Sequence, residues 1–294
     1  MLFSLPSFAK INWHLRILGK RHDGFHELFT LFQTVSLHDT MSFADCDEIR
    51  LTCDDDSIPT DGQNLIIRAA NAVREQFSVV QGAAIHLDKR IPAPGGLGGG
   101  SSNAAVALIG LQRLWGVPLE GEELARIASS LGSDVPFFLE GGTAIGTGRG
   151  ETIEPTDDAD EPFLLIVTPD MRVSTKVAFE RINAPILTKE GLEHILHVCR
   201  DEARSRVLRQ TVLKNDFEMS VFDAHSEVER VKHRLFELGA VNAAMSGSGA
   251  SIFAIFDKQE TRQTALKALD HESTWRKFAV ATISRAEYRE ALHI

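Results

Sequence analysis

The sequence predicts a mixed helix-and-sheet protein built as two lobes around a cleft, and three observations predict it. At 294 residues the chain exceeds the usual reach of one hydrophobic core. Strand-like and helix-like hydrophobic periods are interleaved along its length. A glycine-rich stretch over 141–150, followed by the acidic, Pro-bounded segment 155–162, breaks the composition near the middle. The lobe junction is expected there, dividing residues 1–156 from 157–294.

Taken in order, residues 8–18 and 28–36 are rich in β-branched and aromatic residues and are expected as strands, joined by the turn Lys20-Arg21-His22-Asp23-Gly24-Phe25-His26. Residues 41–53 alternate enough for two short strands. The segment 64–77 places Leu65, Ala69, Ala72, Val73 and Phe77 at helical spacing, and 83–87 is expected as a strand. Pro92-Ala93-Pro94-Gly95-Gly96-Leu97-Gly98-Gly99-Gly100 must be a loop, because neither a helix nor a strand interior tolerates that density of Gly and Pro. Ser101, Ser102 and Asn103 are candidate caps for a helix over 104–115 that is apolar on nearly every face, the pattern of a buried helix. A second helix over 122–131 stops at Gly132. Beyond the junction, strands are expected over 163–168, 252–256 and 278–283, and helices over 174–182, 226–239 and 259–270. Residues 185–225 read as mostly helical.

Composition narrows the classes of function. Hydrophobic residues make up 43% and charged residues 24%, the balance of a soluble globular protein. The net charge of −10 repels a polyanion, so no nucleic acid is expected as partner. A small phosphorylated ligand is still compatible, because a few backbone N–H groups or one Lys can hold it locally. Cys46, Cys53 and Cys199 form no disulfide framework, and no apolar run is long enough to span a bilayer. A cytoplasmic protein with no membrane anchor is the expectation.

Four segments carry chemistry. The glycine loop runs into Ser101-Ser102-Asn103 and a buried helix, so a main chain free of bulky side chains can wrap a ligand while the helix's first N–H groups point at it. That is a phosphate cradle, although it is neither a Walker A loop nor G-x-G-x-x-G; the other reading is a flexible linker. Ser246-Gly247-Ser248-Gly249-Ala250-Ser251 is a second donor-rich turn before a strand, or simply a tight turn. Lys10 and Asn12 are two apart on a strand and project from one face, which an exposed polar face would also explain. Asp134, in Gly132-Ser133-Asp134-Val135-Pro136, is a candidate general base or a helix N-cap. Asp54-Asp55-Asp56 and the His194/His197 pair lack further ligands at organised spacing, so no protein metal site is assigned.

These segments, in this order, resemble the motifs of the GHMP kinases: a proline, a Gly-Leu-Gly core, serines and alanines over 94–105, the Gly-x-Asp-Val-Pro segment, and a late glycine turn. The resemblance implies an α+β fold of two lobes with ATP and substrate meeting in the cleft between them. It places the ATP triphosphate against Pro94, Gly95, Gly96, Leu97, Gly98, Gly99, Gly100, Ser101, Ser102 and Asn103, with Ser101 and Ser102 near the phosphates or their Mg2+ ion. Ala9-Lys10-Ile11-Asn12 with Asp23-Gly24-Phe25-His26 resembles the N-terminal signature of the diphosphocytidyl-methylerythritol kinases, with Phe25 standing where that branch usually has Tyr. This implies phosphorylation of the 2-hydroxyl of a cytidine diphosphate-linked alcohol, a step of the non-mevalonate isoprenoid route. Lys10 and Asp134 would be the catalytic pair. Asn12, Phe25, His26, Thr175, Phe179, Gly247, Ser248 and Gly249 would contact that substrate, with Phe25 and Phe179 on the two faces of the cytosine.

Overall fold

The computed structural model describes residues 2–118, 120–182, 184–187, 189–204 and 213–294. Two long strands, β1 (Leu2–Lys20) and β2 (His26–Cys46), form an antiparallel hairpin at the centre of the first sheet. Then follow β3 (Ile49–Cys53), α1 (Leu65–Phe77), β4 (Gly82–Asp88), α2 (Gly99–Trp115), α3 (Gly121–Leu131), α4 (Phe137–Glu140), β5 (Thr143–Gly148) and β6 (Thr152–Pro155). The second half runs β7 (Leu164–Pro169), α5 (Thr175–Glu180), α6 (Lys189–Arg204), β8 (Lys214–Asn215), α7 (Glu218–Ala224), α8 (Ser226–Glu237), β9 (Asn242–Met245), β10 (Ile252–Ile255), α9 (Gln259–Ala268), β11 (Trp275–Val280) and α10 (Arg285–Leu292).

The first sheet has the order β3-β4-β2-β1-β8, and the free edge of β2 is shared between two partners. Its later residues, Thr40 to Cys46, pair with β4, and its earlier ones, Leu28 to Gln33, pair with β5. That sharing is why residues 41–46 continue one strand instead of forming the first of two short ones. The second sheet is antiparallel, in the order β11-β7-β10-β9.

Alternation along the strands shows how the layers stack. On β7, Leu164 and Ile166 face a core shared with the first sheet, while Leu165 and Val167 face the core beneath α7, α8 and α9. β10 repeats the pattern with Phe253 and Ile255 against Ile252 and Ala254. Both faces are covered, so these strands are uninterrupted apolar runs. On the far side of the first sheet, α1, α2 and α3 pack over Phe43, Met41 and Ile85, with α2 buried from Ser102 to Leu111. The result is four layers, helix on sheet on sheet on helix.

Two departures from the sequence reading matter later. The glycine stretch 141–150 contains strand β5, because a carbon added at Gly146 would lie 2.6 Å from the Phe32 ring and only Gly lets the strand close against it. Helix α2 begins at Gly99 with Gly98 as its N-cap and no capping side chain, so Ser101, Ser102 and Asn103 lie inside the helix and do not cap it. Part of the second half also returns to the first sheet. β8 pairs with β1, and α10 buries Tyr288 and Leu292 in the first core, its start fixed by the capping box of Ser284 and Glu287. All three cysteines are free. Among the described residues no helix is long and apolar enough to cross a membrane.

Candidate active site

The three motifs separated in sequence are stitched together by backbone contacts. The amide of Lys10 on β1 donates to Leu97 O in the glycine loop (3.0 Å), and Ser251 N donates to Gly95 O (3.1 Å). Ser246 Oγ donates to Gly96 O (2.9 Å), and a carbon at Gly96 would lie 2.1 Å from Ser246 O. No side chain fits at that crossing, which is the physical reason for glycine there. The late glycine turn therefore lies directly on the phosphate loop, and the reading of 246–251 as an isolated tight turn does not hold.

Asn12 is the hub between them. Its Oδ1 accepts from Lys10 Nζ (2.6 Å), Gly247 N (2.8 Å) and Ser246 Oγ (3.4 Å), while its Nδ2 donates to Thr30 Oγ1 (2.7 Å). Lys10 and Asn12 do share one face of β1, but that face is interior: each is 2% exposed. Lys10 Nζ lies 3.5 Å from Asp134 Oδ2, and 5.4 Å from the centre of the Phe32 ring. Burial pushes the Lys10 ammonium below the usual lysine range, and attraction to Asp134 offsets this only in part. Asp134 keeps one third of its side chain exposed to the cleft. It caps nothing, because the N-cap of α4 is Pro136 with no side-chain cap bond.

The loop residues divide by direction. Pro94, Gly96 and Gly98 line the cleft with Lys10 and Asp134, whereas Leu97 is buried in the core between the sheets. Ser102 and Asn103, expected at the phosphates, turn inward instead. Ser7 Oγ donates to Ser102 Oγ (2.8 Å), and Asn103 Nδ2 donates to Ser7 Oγ (2.8 Å) and Asp39 Oδ2 (3.0 Å). Asp39 also accepts from Lys89 Nζ (2.8 Å) and from the amides of Arg90 and Ile91 (2.7 and 2.8 Å). These two side chains hold the helix to the sheet, and the first-turn N–H groups of α2 are left without a side-chain cap. Ser101 stays partly exposed, with its Oγ 3.9 Å from a carbon built on Gly132, hence beside the Asp134 turn.

A second cavity, about 420 Å³, opens beside the first and is lined by Phe25, His26, Phe179, Lys20 and Lys176. The two share Leu28, Ser133, Arg149 and Phe179 and form one continuous cleft. His26 stacks on Phe179 (5.2 Å between ring centres, 19° between planes), and Phe179 stands edge-on to Phe217 (4.8 Å). Burial pushes the His26 imidazole below its usual value, and the Lys20 charge pushes it further. Phe25 is 53% exposed at the cavity mouth. Thr175 is not the cap of α5, a role taken by Ser174; its hydroxyl shares a hydrogen bond with Ser248 Oγ (2.7 Å). Ser248, Gly247 and Gly249 line the cleft opposite the glycine loop.

Sequence reasoning missed Thr30, Phe32 and Arg149 as lining residues. Only Arg149 left a signal, standing between two glycines in Gly148-Arg149-Gly150.

A glycine loop crossed by a second glycine turn, over a buried Lys beside a partly open Asp, is the arrangement expected of a small-molecule kinase. The chain belongs to the GHMP kinase family: the GHMP kinases N terminal domain matches residues 64–142 and the GHMP kinases C terminal domain residues 201–273. Among its relatives, the 4-diphosphocytidyl-2-C-methyl-D-erythritol kinase of Syntrophus aciditrophicus is 36% identical, covering 96% of this chain and all of that one. The enzyme of the same name from Caldanaerobacter subterraneus subsp. tengcongensis is 35% identical over 88% of this chain and 90% of its own length. A crystal structure of 4-(cytidine 5'-diphospho)-2C-methyl-D-erythritol kinase superposes with a TM-score of 0.77 at 32% identity, covering 95% of this chain and 99% of that one. A homoserine kinase from Cytophaga hutchinsonii shares the fold at 19% identity, with a TM-score of 0.67.

Proposed function

We infer that this chain transfers the γ-phosphoryl group of ATP to the 2-hydroxyl of 4-diphosphocytidyl-2-C-methyl-D-erythritol, in the non-mevalonate route to isoprenoid precursors. The observation that carries the reading is the continuity of the cleft, which leads from the aromatic cavity at Phe25, His26 and Phe179 to Asp134 and Lys10. The names of the relatives point the same way. In this reading residues 1–156 form the lobe that holds ATP and the catalytic pair, and 157–294 the second lobe, with β8 and α10 crossing back.

The chemistry follows from the pair. Asp134, open to the cleft and fixed near Lys10, takes the proton of the acceptor hydroxyl as that oxygen attacks the γ-phosphorus in line. Lys10 lies within reach of the same oxygen and offsets charge on the group in transfer. Asn12 orients Lys10, and the α2 amides with Gly96 and Gly98 receive the phosphates. A neutral His26 offers one donor and one acceptor nitrogen, which suits the edge of a cytosine. Mg2+ would travel with ATP. Bound with ATP it would neutralise phosphate charge, and the Ser101 hydroxyl, partly exposed beside the Asp134 turn, is a side chain at hand to hold it. Three free cysteines and no membrane-crossing helix among the described residues suit a cytoplasmic enzyme.

The test is ADP release by the purified protein with Mg·ATP, comparing 4-diphosphocytidyl-2-C-methyl-D-erythritol, mevalonate, homoserine and no acceptor. Release that depends on the cytidyl substrate alone is expected. Turnover of another alcohol would keep the kinase and discard the base pocket, and nucleotide binding without turnover of any acceptor would overturn the activity.

A further inference from the structure

An acceptor that enters the aromatic cavity with its base and reaches Asp134 with its hydroxyl must carry its diphosphate across the wall common to both cavities. Leu28, Ser133, Arg149 and Phe179 make that wall, and Arg149 is its one cation. A carbon built on Gly150 would lie 3.8 Å from an Asp134 carboxylate oxygen, so the turn that carries Arg149 borders the catalytic carboxylate. The guanidinium lies over the Phe25 ring at 4.8 Å, so its other end borders the base site.

The turn is built to present this side chain. Gly148 and Gly150 have φ of 74° and 104°, conformations other residues rarely adopt, and they fold the chain sharply on either side of Arg149. Glu151 accepts from the Arg149 amide (2.5 Å) and from Nε (3.4 Å), while Gly148 N donates to Glu27 (2.9 Å). With Nε tied back, both terminal nitrogens of the guanidinium make no hydrogen bond among the described residues, and about one third of the side chain faces the cleft. A planar cation that is anchored at its base, flanked by an aromatic ring and open at its fork suits a pyrophosphate.

We propose that Arg149 is the diphosphate-binding residue of the acceptor site and sets the preference for acceptors bearing a nucleoside diphosphate over those bearing a bare nucleoside or no phosphate. This rests on the cytidyl-acceptor reading above. Lys20 and Lys176 line only the outer cavity, and Lys10 is occupied at the reacting end, so each lies off the crossing.

The experiment compares CDP with cytidine by isothermal titration, with the ATP site filled by a non-hydrolysable ATP analogue and magnesium. The wild-type protein should bind CDP about ten- to a hundred-fold more tightly than cytidine. Arg149→Met, which keeps an apolar stem on Phe25, should collapse that ratio toward one and change cytidine affinity by less than about three-fold; Arg149→Lys should restore part of it. Equal losses for CDP and cytidine, or an unchanged ratio, would overturn the assignment. A wild-type protein that binds cytidine and CDP alike would overturn it too while sparing the base pocket, whereas one that binds neither would remove the cytidyl reading and the proposal together.

Discussion

Two buried lysines that both approach the glycine loop, Lys10 at Gly98 and Lys89 at Gly99, pair with aspartates in opposite ways. Lys89 lies 2.8 Å from Asp39, which has no exposed side-chain surface and accepts from two backbone amides and Asn103 as well. Lys10 lies 3.5 Å from Asp134, whose side chain is one third open to the cleft. Burial lowers the affinity of both ammonium groups for a proton, and both are partly compensated by their partner. The difference is in the carboxylates. Asp39 has its oxygens filled and can do nothing but hold the loop, whereas Asp134 retains the capacity to accept a substrate proton. The closed pair holds the loop, and the open pair is the one proposed above for proton transfer.

The sharpest way to break this contrast is Asp134→Asn, which keeps size and polarity and removes the proposed base. Turnover should fall by about 10²–10⁴, with nucleotide affinity by titration nearly unchanged. A folded variant with ordinary kcat would take the base role from Asp134. Next in size is Asp39→Ala, which strands the Lys89 charge and the Arg90 and Ile91 amides in the interior. A loss of about 3–5 kcal/mol is expected in urea unfolding. A small loss would mean that water reaches the pair, and that it is not closed.

Phe25→Ala tests the cleft away from both pairs. It should raise KM for the cytidyl acceptor by the equivalent of about 1–3 kcal/mol of lost stacking, with kcat less affected. An unchanged KM would take the base off this ring. The smallest effect is a shift in stability and is the most discriminating: Lys10→Met should raise the melting temperature by about 2–4 °C, because it removes a buried charge whose partner can still be hydrated. Lys89→Met should lower it, because Asp39 is left dry and uncompensated. Shifts of the same sign in both variants would erase the distinction.

Local pattern made much of the fold legible. The helix over 64–77 was announced by apolar spacing and appears as Leu65–Phe77, with Asn64 as its cap, and the runs at 164–169 and 252–255 are strands because β-branched and aromatic residues cluster there. What local pattern concealed was strand β5, since the glycines that let it pack on Phe32 look like a linker when the partner ring is unseen. Helix α10 was hidden for a related reason: its apolar residues, Tyr288 and Leu292, answer to a core laid down by the first sheet and the helices on it.

The sequence by itself determined which groups exist to do chemistry: a glycine loop able to approach a phosphate, a Lys and an Asn on one strand face, an Asp in a tight turn, and an aromatic-His pair. Those are properties of residue type and spacing, read with the local strand and turn they predict. Only the tertiary structure decided which of them are spent on the protein and which are left for a ligand. Ser102 and Asn103 are consumed by Ser7 and Asp39, and Asn12 by Lys10, Gly247 and Thr30, while Asp134 and Arg149 are left open. A hydrogen-bonding group has few partners to give, and its allocation depends on neighbours that are remote in sequence and brought close only by packing.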